Sequence, residues 1–301
     1  MGALITTPGA YPDIAAEDYH GAEICDAPSI SASGLKLIEA RSPLHYWWKS
    51  PLNPNRPKQD EKAHFAVGKA AHDLLLLGDR WPAAYFVLPE DFNARATKQQ
   101  AAYHAARAEA QERGLTVLTY AQAQTVSAMA AALRANKFAA ASLTNGDPEM
   151  TLAWKDAATG VWLRARPDFL PAKRLYVPDL KTAADGSPGA FARSVASFGY
   201  HQSAALYREG IEAIYGERPR HMFFIVIEKE PPHCVALYQL PEDDIHRGRM
   251  LNRRAIDTFA HCLDAGKWPG YADDVLQLPM PNWTQRTIDQ AAERGELSYA
   301  A

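Results

Sequence analysis

Two aspartates and a lysine in neighbouring predicted strands are the residues of this sequence best suited to chemistry. Segments 164–170 and 176–181 both read as short strands, and a polar turn led by a proline separates them. The sequence therefore predicts a hairpin in which Asp168 and Asp179 lie opposite each other, roughly 5 Å apart at Cβ. Lys181 lies two residues beyond Asp179, so we expect it on the same face of the strand.

The stability of a hairpin does not explain this pair, because like charges opposite each other are destabilising. A hard cation between the carboxylates does explain it, since Mg²⁺ binds one or two carboxylates together with waters and phosphate oxygens. Two carboxylates and an ammonium group on one face suit metal-assisted hydrolysis of a phosphodiester. The hairpin alone leaves a solvated salt-bridge face as an equal alternative. The Asp-x-Lys triplet is uninformative by itself, because Asp60-Glu61-Lys62 also matches it.

The composition is that of an ordinary soluble globular protein, with 301 residues of which 47% are hydrophobic and 22% charged. The net charge of −3 provides no global basic field, so binding to DNA would require a local patch. Cys25, Cys234 and Cys262 are far apart and lack the spacing of a zinc or iron–sulfur site. The longest apolar run, 222–227, is too short to span a bilayer, and no secretory signal is recognisable. We therefore expect a cytoplasmic protein that has no membrane partner.

A second candidate site residue lies on a predicted helix over residues 62–77. This segment is apolar nearly all round, which is typical of a buried helix. Gly68 weakens a helix by roughly 1 kcal/mol relative to alanine, which indicates a close approach to another element. His72 lies one turn later on the same face. By itself, His72 is more typical of a core histidine with a hydrogen-bond partner than of a metal ligand.

The sequence divides into a helical part and a part richer in strands. Alanine-rich segments 96–113 and 120–141 are predicted to form a helical insertion, and the Asn-Gly-Asp-Pro stretch at 145–148 is a strong break. We therefore predict an N-terminal helical section over 1–145, which contributes His72 to the site. The catalytic core and the C-terminal helix and tail are predicted as one structural unit over 146–301.

From residue 149 the pattern changes to strands and longer helices. The predicted elements are strands over 149–155 and 161–170 joined as a hairpin, a strand over 175–181, a helix over 190–215 interrupted at Gly199, strands over 221–228 and 234–240, and a helix over 242–263. Residues 267–283 are predicted to be irregular. This order predicts an α+β fold with a mixed central β-sheet flanked by helices.

Several motifs follow one another along the chain: Gly68-x-x-x-His72, Arg166-Pro-Asp168, Asp179-Leu-Lys181, and Tyr200-His-Gln202 followed by Tyr207. Their order resembles the PD-(D/E)xK nuclease superfamily, which has a restriction-endonuclease-like core. Within it, the sequence is most similar to the RecB-like branch and to the RecE-type exonuclease VIII domain of phages and prophages. Segments 31–46, 268–271 and 278–283 resemble the same family, so the resemblance covers nearly the whole chain.

The resemblance implies a site for Mg²⁺ or Mn²⁺. Asp168 and Asp179 would bind the ion, with the Leu180 carbonyl as a further ligand. His72 would contribute from the buried helix, where the carboxylates give its imidazole a partner. Lys181 would orient the attacking water, help to deprotonate it and offset charge on the phosphate. Because neighbouring acids favour the charged form of lysine, electrostatic stabilisation by Lys181 is favoured over proton acceptance.

Three further side chains are candidates near this site. Glu149 precedes the first hairpin and is a candidate for the outer metal shell or for positioning water, with a plain surface residue as the alternative. Arg164 and Arg166 are predicted to point outward on the Asp168 face and to hold phosphates. Pairing of Arg166 with Asp179 is the alternative for that residue.

The helix after the hairpin departs from the family pattern. Tyr207 holds its place and is predicted to contact the phosphate. Ser203 stands where relatives have glutamine, and Gln202 lies one residue early. One residue rotates a helical side chain by about 100°, so Gln202 reaches the substrate only if the start of the helix is shifted.

The resemblance implies a metal-dependent exodeoxyribonuclease that degrades linear double-stranded DNA from 5′ to 3′ in phage-type recombination and end resection. It also implies a ring-shaped homo-oligomer and a single-strand annealing protein as partner. An endonuclease or a single-strand exonuclease of the same superfamily is the alternative enzyme. A non-catalytic DNA-binding module is the alternative of a different class, and the complete set of candidate residues argues against it.

Overall fold

The computed structural model describes residues 4–57, 63–78, 84–90 and 100–297. The strands, in chain order, are β1 (Gly9–Tyr11), β2 (Ser29–Ser31), β3 (Tyr85–Val87), β4 (Thr116–Leu118), β5 (Gly146–Pro148), β6 (Thr151–Lys155), β7 (Trp162–Ala165), β8 (Phe169–Pro171), β9 (Tyr176–Ala183), β10 (His221–Glu228) and β11 (Val235–Gln239). The helices are α1 (Ala16–Tyr19), α2 (Ala32–Ala40), α3 (Pro43–Lys49), α4 (Ala63–Leu77), α5 (Gln100–Glu112), α6 (Tyr120–Ala135), α7 (Lys137–Ser142), α8 (Pro188–Phe198), α9 (Tyr200–Tyr215), α10 (Glu242–Ala265) and α11 (Asn282–Glu293).

One sheet has four strands in the order β1-β6-β7-β2. Strands β6 and β7 form the antiparallel hairpin predicted from the sequence, with Leu152 opposite Ala165. The turn between them is closed by Asp156, whose Oδ2 accepts hydrogen bonds from the backbone N–H and the hydroxyl of Thr159. Gly160 follows with a φ of 74°, which a residue with a Cβ rarely adopts. Strand β2 adds in parallel to β7.

A second sheet has three strands in the order β11-β10-β9, and its central strand is buried on both faces. Phe224 and Val226 of β10 point into a core with α9 and α10, whereas Ile225 and Ile227 point into a core with α4 and α6. Strand β10 is antiparallel to β11 and parallel to β9. The parallel pair is joined through α8 and α9, as parallel strands require a crossover connection. The protein therefore has the predicted α+β architecture with mixed β-sheets flanked by helices.

The predicted hairpin between 164–170 and 176–181 is wrong. Strand β7 ends at Ala165, β8 pairs with β5, and β9 pairs with β10. The chain bends at Arg166-Pro167-Asp168, because proline cannot donate a ladder hydrogen bond and restricts the residue before it. The largely apolar strand β10 pairs with β9 over eight residues, whereas β8 has only three residues.

The other helices follow the predicted pattern with one difference. Gly199, with a φ of 62°, separates α8 from α9 as expected, and α10 covers the predicted long helix. The predicted helix 120–141 is two helices, because Asn136 ends α6 and its side chain accepts a hydrogen bond from the Ala139 N–H at the start of α7. The predicted helix 96–113 is described as α5, and residues 96–99 lie outside the described residues. The predicted helix 62–77 is described as α4, residue 62 likewise lying outside them.

The chain forms two compact units. The first, Met1–Trp268, contains all the described strands and all the candidate site residues. The second, Pro269–Ala301, contains helix α11, which the sequence pattern did not predict and which has no buried residue. The boundary at residue 145 stays a prediction. None of the described helices is both long and apolar enough to cross a membrane.

Candidate active site

Two aspartates from different elements meet although their strands do not pair. Asp168 lies in the bend before β8, and its Oδ2 accepts a hydrogen bond of 2.6 Å from the backbone N–H of Leu180 in β9. This bond places the Asp168 carboxylate beside Asp179, which is the preceding residue of β9. Asp179 is 1% exposed and Asp168 is 15% exposed, so the pair lies at the boundary between core and solvent.

Strand alternation places Lys181 on the Asp179 side of β9, as the sequence predicted. The Lys181 ammonium group forms an ion pair with Asp179 Oδ2 and lies 3.2 Å from the Leu180 carbonyl oxygen. The Leu180 side chain points to the opposite face and packs in the core below α4 and α6. Asp179 and Lys181 lie opposite Phe224 and Val226 of β10, so apolar neighbours surround their stems.

One carboxylate oxygen of the site lacks a partner. Asp179 Oδ1 is buried, and within the described residues nothing hydrogen-bonds to it. Buried polar atoms are normally satisfied, and a buried carboxylate oxygen without a donor is especially unfavourable. A divalent cation shared with Asp168 would satisfy it, since hard cations take carboxylate oxygens as ligands.

The charges of the site are strongly coupled. Burial and the neighbouring Asp168 charge raise the pKa of Asp179, against the opposing effect of Lys181. Burial also acts to raise the pKa of Asp168, but His72 and Lys181 outweigh it and lower that pKa. Burial would lower the pKa of Lys181, yet Asp179 and Asp168 raise it well above its usual range. Lys181 therefore stays an ammonium ion.

His72 reaches the aspartates from α4. Its Nε2 lies 3.0 Å from Asp168 Oδ1, so the imidazole has the carboxylate partner expected for it. Burial acts to lower the pKa of His72, but the Asp168 charge, the hydrogen bonds to Asp168 and Asp73 and the Glu149 charge together outweigh burial and raise the pKa to about 10. Gly68, one turn earlier, allows α4 to approach β9, because a Cβ there would lie 2.9 Å from the Thr182 hydroxyl oxygen.

A third carboxylate on the far side of His72 was missed by sequence reasoning. Asp73 Oδ1 lies 3.8 Å from His72 Nδ1, and the Tyr85 hydroxyl donates a 2.6 Å hydrogen bond to Asp73 Oδ2. Glu149 Oε1 also lies 3.8 Å from His72 Nδ1. One potential metal-ligating atom from each of His72, Asp73 and Glu149 lies within 4.8 Å of the other two. An aspartate inside an otherwise apolar helical run was the signal that could have identified Asp73.

Glu149 joins the site through its backbone as well as its side chain. Its N–H donates to the Asp168 carbonyl oxygen at 3.0 Å, which ties β5 to the bend that carries Asp168. Its φ of 50° is a left-handed conformation that a residue with a side chain seldom adopts. Its carboxylate is 38% exposed and lies 3.8 Å from Arg166 Nη1. Glu149 therefore lies at the solvent edge of the site, next to His72.

The prediction that Arg164 and Arg166 point outward is not what the structure shows. Arg164 is buried, and its Nη1 donates to the Tyr19 carbonyl at 2.7 Å. Arg166 is half-buried, donates to the Thr151 hydroxyl and pairs with Glu149 rather than with Asp179. The N-terminal segment covers this face, because both guanidinium groups lie over the Tyr19 ring.

The two candidate residues of α9 differ in position. Tyr207 is half-buried, and its pKa is raised well above the usual range by burial, with the nearby Asp179 and Asp168 charges adding to the effect. Tyr207 therefore keeps its proton as a neutral hydroxyl group. Gln202 is buried, and its side-chain amide donates a hydrogen bond to the side-chain oxygen of Asn252 in α10. The side-chain amide of Asn252 in turn donates to the backbone carbonyl of Gln202. The charges of the two carboxylates therefore act on Tyr207, whereas Gln202 is engaged with α10.

The residues present fit a hard divalent cation. The oxygen donors are the Asp168 and Asp179 carboxylates, with the Leu180 carbonyl alongside. His72 would add an imidazole nitrogen once a bound cation displaced the proton that it holds against Asp168. Such a mainly oxygen donor set suits Mg²⁺ or Mn²⁺. The unpartnered Asp179 oxygen is the observation that favours a cation here.

Comparisons with known proteins agree with this architecture. The fold is similar to that of the crystal structure of a protein from Eubacterium rectale inferred to be an exonuclease, with a TM-score of 0.59, 12% identity, and coverage of 91% of this chain and 98% of that chain. A phage-related exonuclease from Haemophilus somnus 129PT matches with a TM-score of 0.32 and 11% identity over 79% of this chain and 96% of that chain, which supports no conclusion. No curated protein matches the sequence.

The match to a family model includes every candidate site residue. It runs over residues 31–277 and is to a PDDEXK-like domain of unknown function, DUF3799. This range contains His72, Asp168, Asp179 and Lys181. The chain therefore belongs to the DUF3799 family and has the PD-(D/E)xK fold.

Proposed function

We propose that this protein is a divalent-metal-dependent exodeoxyribonuclease of the RecE type, which hydrolyses linear double-stranded DNA from its 5′ ends. The observation that supports this proposal best is the meeting of Asp168, Asp179 and Lys181, with one buried carboxylate oxygen left without a partner. Strand pairing does not require this arrangement, since β8 and β9 pair with other strands.

Each residue of the site has a distinct role in this proposal. Asp168, Asp179, His72 and the Leu180 carbonyl would hold Mg²⁺ or Mn²⁺. A bound ion supplies Lewis-acid polarisation of a phosphoryl oxygen and lowers the pKa of water. Lys181 stays charged at neutral pH, so it offsets negative charge developing on the phosphate and does not accept a proton.

The remaining residues surround this centre. Tyr207 keeps its proton and can donate a hydrogen bond to a phosphate oxygen. Glu149, at the exposed edge, can orient water beside His72. From the resemblance to RecE-type enzymes we also propose a ring-shaped homo-oligomer that cooperates with a single-strand annealing protein in phage-type recombination. Light scattering of the purified chain would test the oligomer.

The activity test uses linear duplex DNA labelled at one 5′ end or one 3′ end, with Mg²⁺ or EDTA. Asp168→Asn and Asp179→Asn remove one negative charge each at the site. Asp147→Asn is the matched control, because it makes the same change at an exposed carboxylate of β5. We expect early release of the 5′ label in Mg²⁺, retained in the control and lost in both site variants.

Other results would redirect or refute the proposal. Early release of the 3′ label would reverse the polarity, and cleavage of covalently closed circular DNA would show an endonuclease. Preference for single-stranded over duplex DNA would change the substrate. DNA binding without cleavage of any substrate, in Mg²⁺ or Mn²⁺, would refute catalysis and favour a DNA-binding module.

A further inference from the structure

A second lysine, from the N-terminal part of the chain, lies beside the candidate active site. Lys36 is on α2, directly after the Ser31–Leu35 segment for which the site described above gives no role. Its side chain is half-buried and crosses Gly199, where an added Cβ would lie 2.9 Å from Lys36 Cδ. Its ammonium nitrogen lies 5.9 Å from the centroid of the Tyr200 ring. The contact of the Lys36 aliphatic chain with Gly199 therefore fixes the position of its ammonium group.

Lys36 and Lys181 approach the same aromatic ring. The Lys181 ammonium nitrogen lies 5.2 Å from the Tyr200 centroid, so two cationic groups share one neighbour. Burial, together with the Lys181 charge, lowers the pKa of Lys36 to about 8, with Asp179 opposing them. Lys181 is neutralised by its ion pair with Asp179, whereas Lys36 has no ion pair with a carboxylate in the described part of the chain.

Packing alone does not explain a charged group in this position. A lysine that served only to cover Gly199 could extend its ammonium group into water, away from a like charge. The Lys36 ammonium group, held beside a half-buried ring and next to an ion-paired lysine, is instead a place where an anion is stabilised. The lysine ammonium group is a common partner for phosphate, which it binds as a point charge.

We propose that Lys36 binds a phosphate of the substrate strand adjacent to the phosphate held at Asp168, Asp179 and Lys181. The proposal deepens the nuclease function proposed above and rests on it. Lys36 is then a substrate-binding residue that sets how the strand enters the site. It gives the N-terminal segment a role in binding the nucleic acid.

The test compares Lys36→Met, Lys36→Arg and Lys137→Met with the wild-type chain. Methionine keeps the apolar stem over Gly199 and removes the charge, arginine keeps the charge, and Lys137 is an exposed lysine of α7 that controls for a generic loss of charge. The readouts are kcat and KM on linear duplex DNA in Mg²⁺, and the affinity for the same duplex in EDTA. Both are measured between about 25 and 200 mM salt, where phosphate contacts weaken steeply.

We expect Lys36→Met to reduce kcat/KM and duplex affinity about tenfold, mostly through KM. The slope of log affinity against log salt should fall by about 1, as expected for one lost phosphate contact. Lys36→Arg should restore most of the affinity, and Lys137→Met should behave like the wild-type chain. A merely structural role would lower the melting temperature and leave the salt slope unchanged.

The results separate this inference from the nuclease proposal. If the wild-type chain cleaves DNA and Lys36→Met keeps both its affinity and its salt slope, the role of Lys36 is refuted and the nuclease stands. If the wild-type chain binds duplex without cleaving it, the nuclease is refuted and the affinity ratio still decides the role of Lys36. If the wild-type chain neither binds nor cleaves DNA, both are refuted.

Discussion

Replacing Asp179 with asparagine is expected to stabilise the metal-free protein while removing its activity. Asp179 is 1% exposed, has one oxygen without a partner, and lies beside a second carboxylate. Burial and the Asp168 charge raise its pKa from 3.8 to about 6. The folded state therefore holds the proton of Asp179 more tightly than the unfolded state does, and ionisation of this group destabilises the fold.

The sign and the size of the effect follow from the two pKa values. The destabilisation is absent below about pH 4, grows as the pH rises, and is complete above about pH 7. The difference of about 2 pKa units, at about 1.4 kcal/mol each, corresponds to roughly 3 kcal/mol. Asparagine is neutral at every pH, so Asp179→Asn should gain up to this amount at pH 8 and roughly half of it at pH 5. For a chain of this length, roughly 3 kcal/mol is equivalent to roughly 5 °C in melting temperature.

Thermal unfolding in EDTA at pH 5 and pH 8 measures this effect, with Asp147→Asn as the exposed control. Repeating it in Mg²⁺ adds a second comparison, because a ligand that binds only the native state stabilises it. We expect Mg²⁺ to raise the melting temperature of the wild-type chain more than that of Asp179→Asn. Equal stability of the two proteins in EDTA at pH 8, or a gain that is as large at pH 5, would refute the reasoning.

Three further substitutions test the surroundings of the site. Asp73→Asn keeps the size of the side chain but removes the charge beside His72, so we expect roughly tenfold slower cleavage at an unchanged melting temperature; equal rates would exclude an orienting role. Arg164→Met removes a buried guanidinium group that donates a hydrogen bond to a backbone carbonyl, so thermal melts followed by circular dichroism should show a loss of roughly 2 kcal/mol in the free energy of unfolding, with kcat retained. A loss of kcat in a stable protein would instead favour phosphate binding by Arg164. Gly248→Ala places a methyl group against the His201 carbonyl, so the melting temperature should fall by roughly 3 °C or more; an unchanged value would show that α9 and α10 can separate.

Local sequence signals predicted much of the fold. The β6–β7 hairpin was recognisable because Asp156 and Gly160 provide the turn chemistry within the sequence itself. The division of α8 from α9 was recognisable because Gly199 adopts a conformation that favours glycine. These predictions depend only on neighbours along the chain, so they did not require knowledge of the tertiary structure.

The hairpin predicted between 164–170 and 176–181 is wrong because local signals do not specify which strands pair. Two short strands separated by a polar turn look like a hairpin whether or not they pair. The partner of β9 is β10, which begins 38 residues after β9 ends, at His221 after Ala183, and no local pattern specifies it. Asp168 and Asp179 still meet, because the bend at Pro167 lets the Asp168 carboxylate accept the Leu180 N–H. The prediction of the pair was thus met by a geometry different from the one that motivated it.

The arginines and Asp73 depended on segments that carry weak sequence signals. Alternation along β7 places Arg164 on one face, but it does not reveal that the N-terminal segment around Tyr19 covers that face. Asp73 is held by Tyr85 of the short strand β3, which pairs with β4 far along the chain. Contacts between distant segments decided both outcomes.

The protein's own groups balance only part of the negative charge of the site. The part left unbalanced is on Asp179, the most buried of its carboxylates. His72 and Lys181 neutralise Asp168 and one oxygen of Asp179 with charges that the protein itself supplies. The second oxygen of Asp179 has no hydrogen-bond donor among the described residues. The residues of β10 that face Asp179 and Lys181 are apolar and provide none. A fold selected only for stability would satisfy or remove this buried oxygen. Its persistence beside a second carboxylate, with a permanently charged lysine next to it, is what a site that takes its last positive charge from a bound cation requires.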